Sequence, residues 1–168
     1  MYKRIMIVVD EGAVARAALA EGLALARGEG AEVLFFHVLP NYVMPVADAP
    51  ALVYLSPEQH HKEVERLARR ILASAAAQAR KAGVVSHGAT GSDADTANCI
   101  ANTAANRLCD LVVIGSHGRN AMQRLIFGSV VTRLIPLATV PVLVCKPPAK
   151  PARAARPPRD AVAAAAGD

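Results

Sequence analysis

The chain has 168 residues, 53% of them hydrophobic, enough for one domain with a real core, yet no apolar run approaches the ~20 residues of a membrane span. Its formal net charge is +5, but from Pro147 onward four basic residues (Lys150, Arg153, Arg156, Arg159) and two acidic ones (Asp160, Asp168) leave the body with only +3. With 4% aromatic residues, no Trp and no interleaving of basic with aromatic side chains, no nucleic-acid surface is expected.

The chain opens on "MYKRIMIVVDEG". Ile5 to Val9 is too short for a signal-peptide core and, being continuously apolar and mostly β-branched, reads as a strand covered on both faces. Ala13 to Arg27 follows with helix formers throughout and Leu19, Leu23 and Ala26 on one face. Gly28-Glu29-Gly30 stops it, and Ala31 to Leu39 is a second apolar strand. Pro40 to Pro50 suits neither sheet nor helix and reads as a long surface loop.

Ser56-Pro57-Glu58-Gln59 opens a helix, with serine as cap, proline at the first helical position and glutamine three residues past the cap. The helix is expected to run to about Ala82 and to end at Gly83. Val84 to Gly88 is a short third strand and "ATGSDADT" a polar loop, in which Asp95 or Thr96 caps a helix reaching Leu108. Asp110 to Gly115 is the fourth strand, Val130 to Ala138 a helix, and Val140 to Lys146 the fifth strand. The rest, "PPAKPARAARPPRDAVAAAAGD" within 147–168, lacks hydrophobic periodicity and reads as a disordered tail.

The order βαβαβαβαβ predicts an α/β fold, a five-stranded parallel sheet with right-handed crossovers and helices on both faces. Ligands of such sheets bind beyond the carboxyl ends of the strands, where the winding reverses. Asp10, Val38 and Gly115 all stand at such ends.

Three of the chain's 11 glycines fall in "GSHGRNAMQRLIFGS", Gly115 to Ser129. Glycine permits positive φ and close approach to the main chain, and the free N–H groups of a helix N-terminus favour an anion. A loop leaving a strand at Gly115 and Gly118 and returning to a helix at Gly128-Ser129 suits a phosphate chain, with Arg119 as an added charge if it turns inward. Two turn glycines and a helix cap would leave the same pattern, and spacing alone does not choose between them. It is neither a P-loop, since no lysine precedes Ser129, nor the dinucleotide fingerprint.

Gly115-Ser116-His117-Gly118, nine residues, then Gly128-Ser129 resembles the ATP-binding signature of universal stress proteins. "YKRIMIVVD", "LFFHVL", "DLVVIGSHGR" and "VPVLVCK" are similar to strands of the same family, so the resemblance covers residues 2–146. It implies a Rossmann-like fold of the adenine nucleotide alpha hydrolase type over 1–146, cytoplasmic location, and a stress-response regulator that binds ATP with Mg²⁺. Asp10 matches the aspartate reaching the ribose and adenine region, and Val38 the residue whose backbone holds the adenine edge. Gly115, Gly118, Gly128, Ser129 and Val130 match the phosphate-binding set. A homodimer through Val140 to Lys146 is implied as well.

Two departures from the family pattern stand out. Glu11-Gly12 follows Asp10 where the family has small residues, placing a second carboxylate that would repel phosphate or hold a metal. The stretch between Gly88 and Ile100 is longer and more polar than the family's. If Glu11 abolishes nucleotide affinity, the alternative is a nucleotide-independent dimeric interaction module of the same fold.

Other chemistries find little support. A phosphoacceptor receiver domain needs an Asp at the end of its third strand, and "VVSHG" has none. Ser129 has no evident His-Asp partners and reads as a binder, so no catalytic residue is expected, and the family resemblance implies at most slow ATP hydrolysis. The histidines His37, His60, His61, His87 and His117 include no zinc pair at i, i+4, and His37 reads as a satisfied core residue. Cys99, Cys109 and Cys145, odd in number and without a C-x-x-C pair, suit a reducing compartment and structural thiols.

Overall fold

The computed structural model describes residues 1–41, 56–116 and 129–147. Five strands and four helices alternate: β1 Arg4–Val8, α1 Ala13–Glu29, β2 Glu32–Val38, α2 Pro57–Ala82, β3 Ser86–Gly91, α3 Thr96–Asn106, β4 Leu111–Gly115, α4 Ser129–Leu137 and β5 Val142–Cys145. The sheet is parallel with strand order β3-β2-β1-β4-β5. The fold expected from the sequence is the fold observed.

Side-chain alternation divides the core in two. Ile5, Ile7, Val33, Phe35, Leu111 and Val113 point to one face and pack under α1 and α2. Met6, Leu34, Phe36, Val112 and Ile114 point to the other, under α3 and α4. The connections through α1 and α2 step outward from β1 to β3, while those through α3 and α4 step the other way on the opposite face. Reversing both direction and face keeps the hand of every crossover the same.

Local chemistry sets most element ends. Gly28 continues α1, and Gly30, at φ 67°, is the residue that ends it, because a left-handed C-terminal residue costs glycine nothing. Ser56 and Gln59 make the expected reciprocal cap, each side chain bonding the other's backbone amide. Asp95 caps α3 through the Ala97 amide at 3.0 Å.

The third strand differs from expectation. It spans Ser86–Gly91, so Ala89 to Gly91 belong to the sheet and not to a loop. Pairing with β2 is the reason: Val33 to Val38 stand opposite Ser86 to Gly91 in unbroken register, and this ladder outweighs the polar composition of an outer strand. The polar residues that follow are held by Asn41, which donates from Nδ2 to the Asp93 carbonyl and accepts from the Ser92 hydroxyl.

α2 has 26 residues, about 39 Å of helix, beside strands of four to seven residues. It descends from the carboxyl edge of the sheet, and its first buried residue is Ala68. Two residues on, Arg70 meets Glu11, which follows the carboxyl end of β1.

Candidate functional site

The strand order places the change of winding between β1 and β4, the adjacent central strands from which the chain departs to opposite faces. At their carboxyl ends stand Asp10 and Gly115, with Val38 one strand away. This is the crevice where an open parallel sheet receives a ligand.

Asp10 is exposed at the end of β1 and accepts the Glu11 amide at 2.6 Å on Oδ1. This local bond fixes the carboxylate and turns the chain into α1. Gly12, the N-cap of α1, makes no side-chain cap bond. An added Cβ at Gly115 would meet the Val14 carbonyl oxygen and Cγ1 at 2.5 Å each. Glycine is therefore required there for the first turn of α1 to lie against β4, a reason independent of any ligand.

Val38 carries the clearest binding feature. In β2 the odd residues bond toward β3, as Val33 and Leu39 do, while Glu32 and Phe36 bond toward β1. The main chain of Val38 accordingly faces the β1 side, where the chain is already turning away. The Val9 carbonyl, next in line on that side, bonds His37 Nδ1 instead, at 2.8 Å. Among the described residues, no backbone hydrogen bond reaches the Val38 amide or carbonyl on that side.

A carbonyl only accepts, so Nδ1 of His37 is the donor. His37 is 6% exposed, and its Nε2 is buried with no hydrogen-bond partner among the described residues. The expectation of a satisfied core histidine holds for one ring nitrogen and fails for the other.

Ser129 is exposed and Val130 half-buried at the start of α4, on the α3 face of the sheet. Arg133, one turn on, pairs with Asp95 and ties α4 to the cap of α3. Gly118, Arg119, Gly128 and His117 lie outside the described residues, as does all but the first residue of the expected tail, 147–168. The structure thus brings Asp10, Val38 and Gly115 to one edge of the sheet, with Ser129 and Val130 at the start of the helix after β4.

Glu11 has partners that the sequence did not announce. Its carboxylate stands 3.4 Å from Arg70 of α2, and its carbonyl accepts from Arg16 of α1 at 2.7 Å. Arg16 is a local neighbour, but Arg70 is 59 positions away, and no short-range pattern connects it to the site. Asp10, Glu11, Arg16 and Arg70 line a cavity of about 480 Å³ between α1 and α2, floored by Val9, Leu19, Ile71 and Ala75. A smaller cavity of about 210 Å³, with Arg4, Glu32, His87 and Arg107, lies at the opposite, amino edge.

Among the described residues no group of three or more His, Cys, Asp or Glu is arranged to hold a metal ion. Mg²⁺ that arrives with phosphates takes most of its shell from phosphate oxygens and water and needs no such protein cage. The cysteines are free and buried. Burial pushes all three thiols up, Cys109 to about 11, and for Cys145 the nearby Glu21 charge adds to the effect. These are inert thiols.

A family model described as the universal stress protein family matches residues 1–146. The chain belongs to this family. Universal stress protein MJ0531 of Methanocaldococcus jannaschii is 30% identical over 154 residues, covering 89% of this chain and 85% of that protein. Universal stress protein YxiE of Bacillus subtilis is 26% identical over 149 residues, covering 87% of this chain and all of YxiE.

Solved universal stress protein structures share the fold. One from Burkholderia pseudomallei superposes with a TM-score of 0.68 at 25% identity, over 85% of this chain and 95% of that one. One from Archaeoglobus fulgidus, in complex with dAMP, gives 0.64 at 23% over 86% and 98%. One from Arabidopsis thaliana, with AMP bound, gives 0.65 at 18% over 90% and 97%. No helix among the described residues of this universal stress protein is long and apolar enough to cross a membrane.

Proposed function

We propose that this universal stress protein binds ATP with Mg²⁺ at the carboxyl ends of β1, β2 and β4 and acts as a nucleotide-dependent stress-response regulator in the cytoplasm. The observation that carries the reading is the main chain of Val38, which no backbone hydrogen bond from the described residues reaches on the β1 side, beside the Asp10 carboxylate that accepts the Glu11 amide. An amide and a carbonyl without sheet partners offer a donor and an acceptor to the edge of a base, and Asp10 offers an acceptor to a ribose hydroxyl. Asp10 lies at the switch point and Val38 one strand from it, in a fold whose solved members include AMP and dAMP complexes.

The phosphates would follow the course from Gly115 to Ser129, with backbone amides and the Ser129 hydroxyl as donors. Mg²⁺ would accompany them. No catalytic residue is assigned: the reading is one of binding, with hydrolysis slow at most.

A homodimer through β5 completes it. Among the described residues β5 pairs only with β4, Leu143 on it is 39% exposed, and Ile135 and Leu137 on the preceding α4 are exposed as well. An edge strand with apolar neighbours suits pairing with a second copy.

Calorimetric titration of the nucleotide-stripped protein with Mg·ATP tests the reading. Saturable binding in the micromolar range, about −8 kcal/mol, is expected, with loss of binding in Gly118→Val, whose side chain would occupy the phosphate path. Unchanged binding by Gly118→Val contradicts the phosphate assignment. Absence of heat at millimolar Mg·ATP leaves the partner-binding module instead.

A further inference from the structure

Glu11 puts a second carboxylate directly after Asp10, at the edge where the reading above places a nucleotide. Left to itself, this pair would oppose a polyphosphate. Each polar group of Glu11 is nonetheless taken up. Its amide donates to Asp10, its carbonyl accepts from Arg16, and its carboxylate meets Arg70 at 3.4 Å. The carboxylate lines the α1–α2 cavity together with Asp10 and Arg70, so the pair stands next to the crevice carboxylate, while Ser129 and Val130 begin a helix on the other face of the sheet.

Both partners of the Glu11–Arg70 pair are more than 60% exposed, and exposed pairs of this kind contribute little to stability. Their effect lies in where charge is placed. A charge within the Debye length of about 8 Å at physiological salt still acts on a neighbouring anion, and a triphosphate carries more charge to be repelled than a monophosphate.

We propose that Arg70 is a positioning residue for nucleotide charge. It holds the Glu11 carboxylate on the α1–α2 side and neutralises it, so that the Glu11–Arg70 pair sets the preference of the site between Mg·ATP and AMP. The inference rests on the nucleotide reading above and deepens it. It assigns a role in nucleotide selection to a side chain of α2 and turns Glu11 from an obstacle into half of a selectivity device.

The test is a set of dissociation constants for Mg·ATP and AMP on the full chain, for wild type, Arg70→Ala, Glu11→Gln and the double variant. Arg70→Ala is expected to weaken Mg·ATP about 5-fold and AMP less than about 2-fold, with the difference shrinking as salt rises. Glu11→Gln is expected to bind Mg·ATP at least as tightly as wild type, and adding Arg70→Ala to it is expected to change nothing further. An unchanged ATP-to-AMP ratio in Arg70→Ala, or an equal loss in the Glu11→Gln background, overturns the inference while the nucleotide reading stands. No binding of either nucleotide by wild type and by Glu11→Gln overturns the nucleotide reading itself, and the inference with it.

Discussion

Gly115 occupies a phosphate-binding position by family pattern, yet its missing side chain faces α1 and not the crevice. Replacing it with alanine forces Cβ to within 2.5 Å of the Val14 backbone, and a helix turn cannot yield as a flexible side-chain tip would. Overpacking of this kind costs about 1–3 kcal/mol. Gly115→Ala is therefore expected to lower the urea midpoint in the absence of nucleotide, whereas an unchanged midpoint would return the glycine to a purely ligand-binding role. Cys109 gives a second prediction at this scale. Burial raises its thiol from an ordinary 9.0 to about 11, so the folded state keeps a proton that the unfolded chain releases. The associated stability is whole below pH 9 and is lost as pH climbs toward 11, at no more than about 1.4 kcal/mol per pH unit. Cys109→Ala should flatten that part of the alkaline stability profile; the same slope in both proteins would contradict the assignment. The positions of Asp10 and Val38 at strand ends were legible in the sequence because each stands at or next to the end of an apolar run. Arg70 and the unpaired nitrogen of His37 were not, since both depend on contacts between segments far apart in the chain.

Helix ends were read closely from sequence where a side chain does the capping. Ser56 with Gln59, and Asp95, sit where the pattern places them, because a cap is a local bond between residues two or three apart. Ser56→Ala is expected to cost about 1 kcal/mol and to speed hydrogen exchange in the first turns of α2, with little change in α1. Equal acceleration in both helices would mean that the cap is not a local device. The third strand was read less well. Its extension through Ala89 to Gly91 is imposed by β2, and an added Cβ at Gly91 would lie 2.7 Å from Phe36 Cζ and 2.8 Å from Cys99 Sγ. A polar, glycine-containing stretch gives no periodic signal of such pairing. The proposed dimer belongs to β5. Leu143→Lys places a charge on the edge strand, the residue proteins use to block strand pairing, and is expected to shift the protein to monomer by sedimentation velocity. A wild type that sediments as a monomer, or a variant that remains a dimer, would exclude β5 as the interface.

At the scale of the whole molecule, the alternation of strands and helices points to the carboxyl edge of the sheet as the candidate site. The order β3-β2-β1-β4-β5 with a change of face between α2 and α3 leaves one crevice at the carboxyl edge, and the chain's chemical departures from the family pattern gather beside it. The central claim is that an adenine nucleotide lies there, against the main chain of Val38. Backbone amide spectra of isotope-labelled protein, recorded with and without saturating Mg·ATP, test this most directly. The amides of Val38, Asp10, Gly115 and Ser129 should shift strongly, while Glu32, His87 and Arg107 at the amino edge stay in place. Shifts confined to the amino edge, or a silent Val38 amide under saturation, would contradict the account.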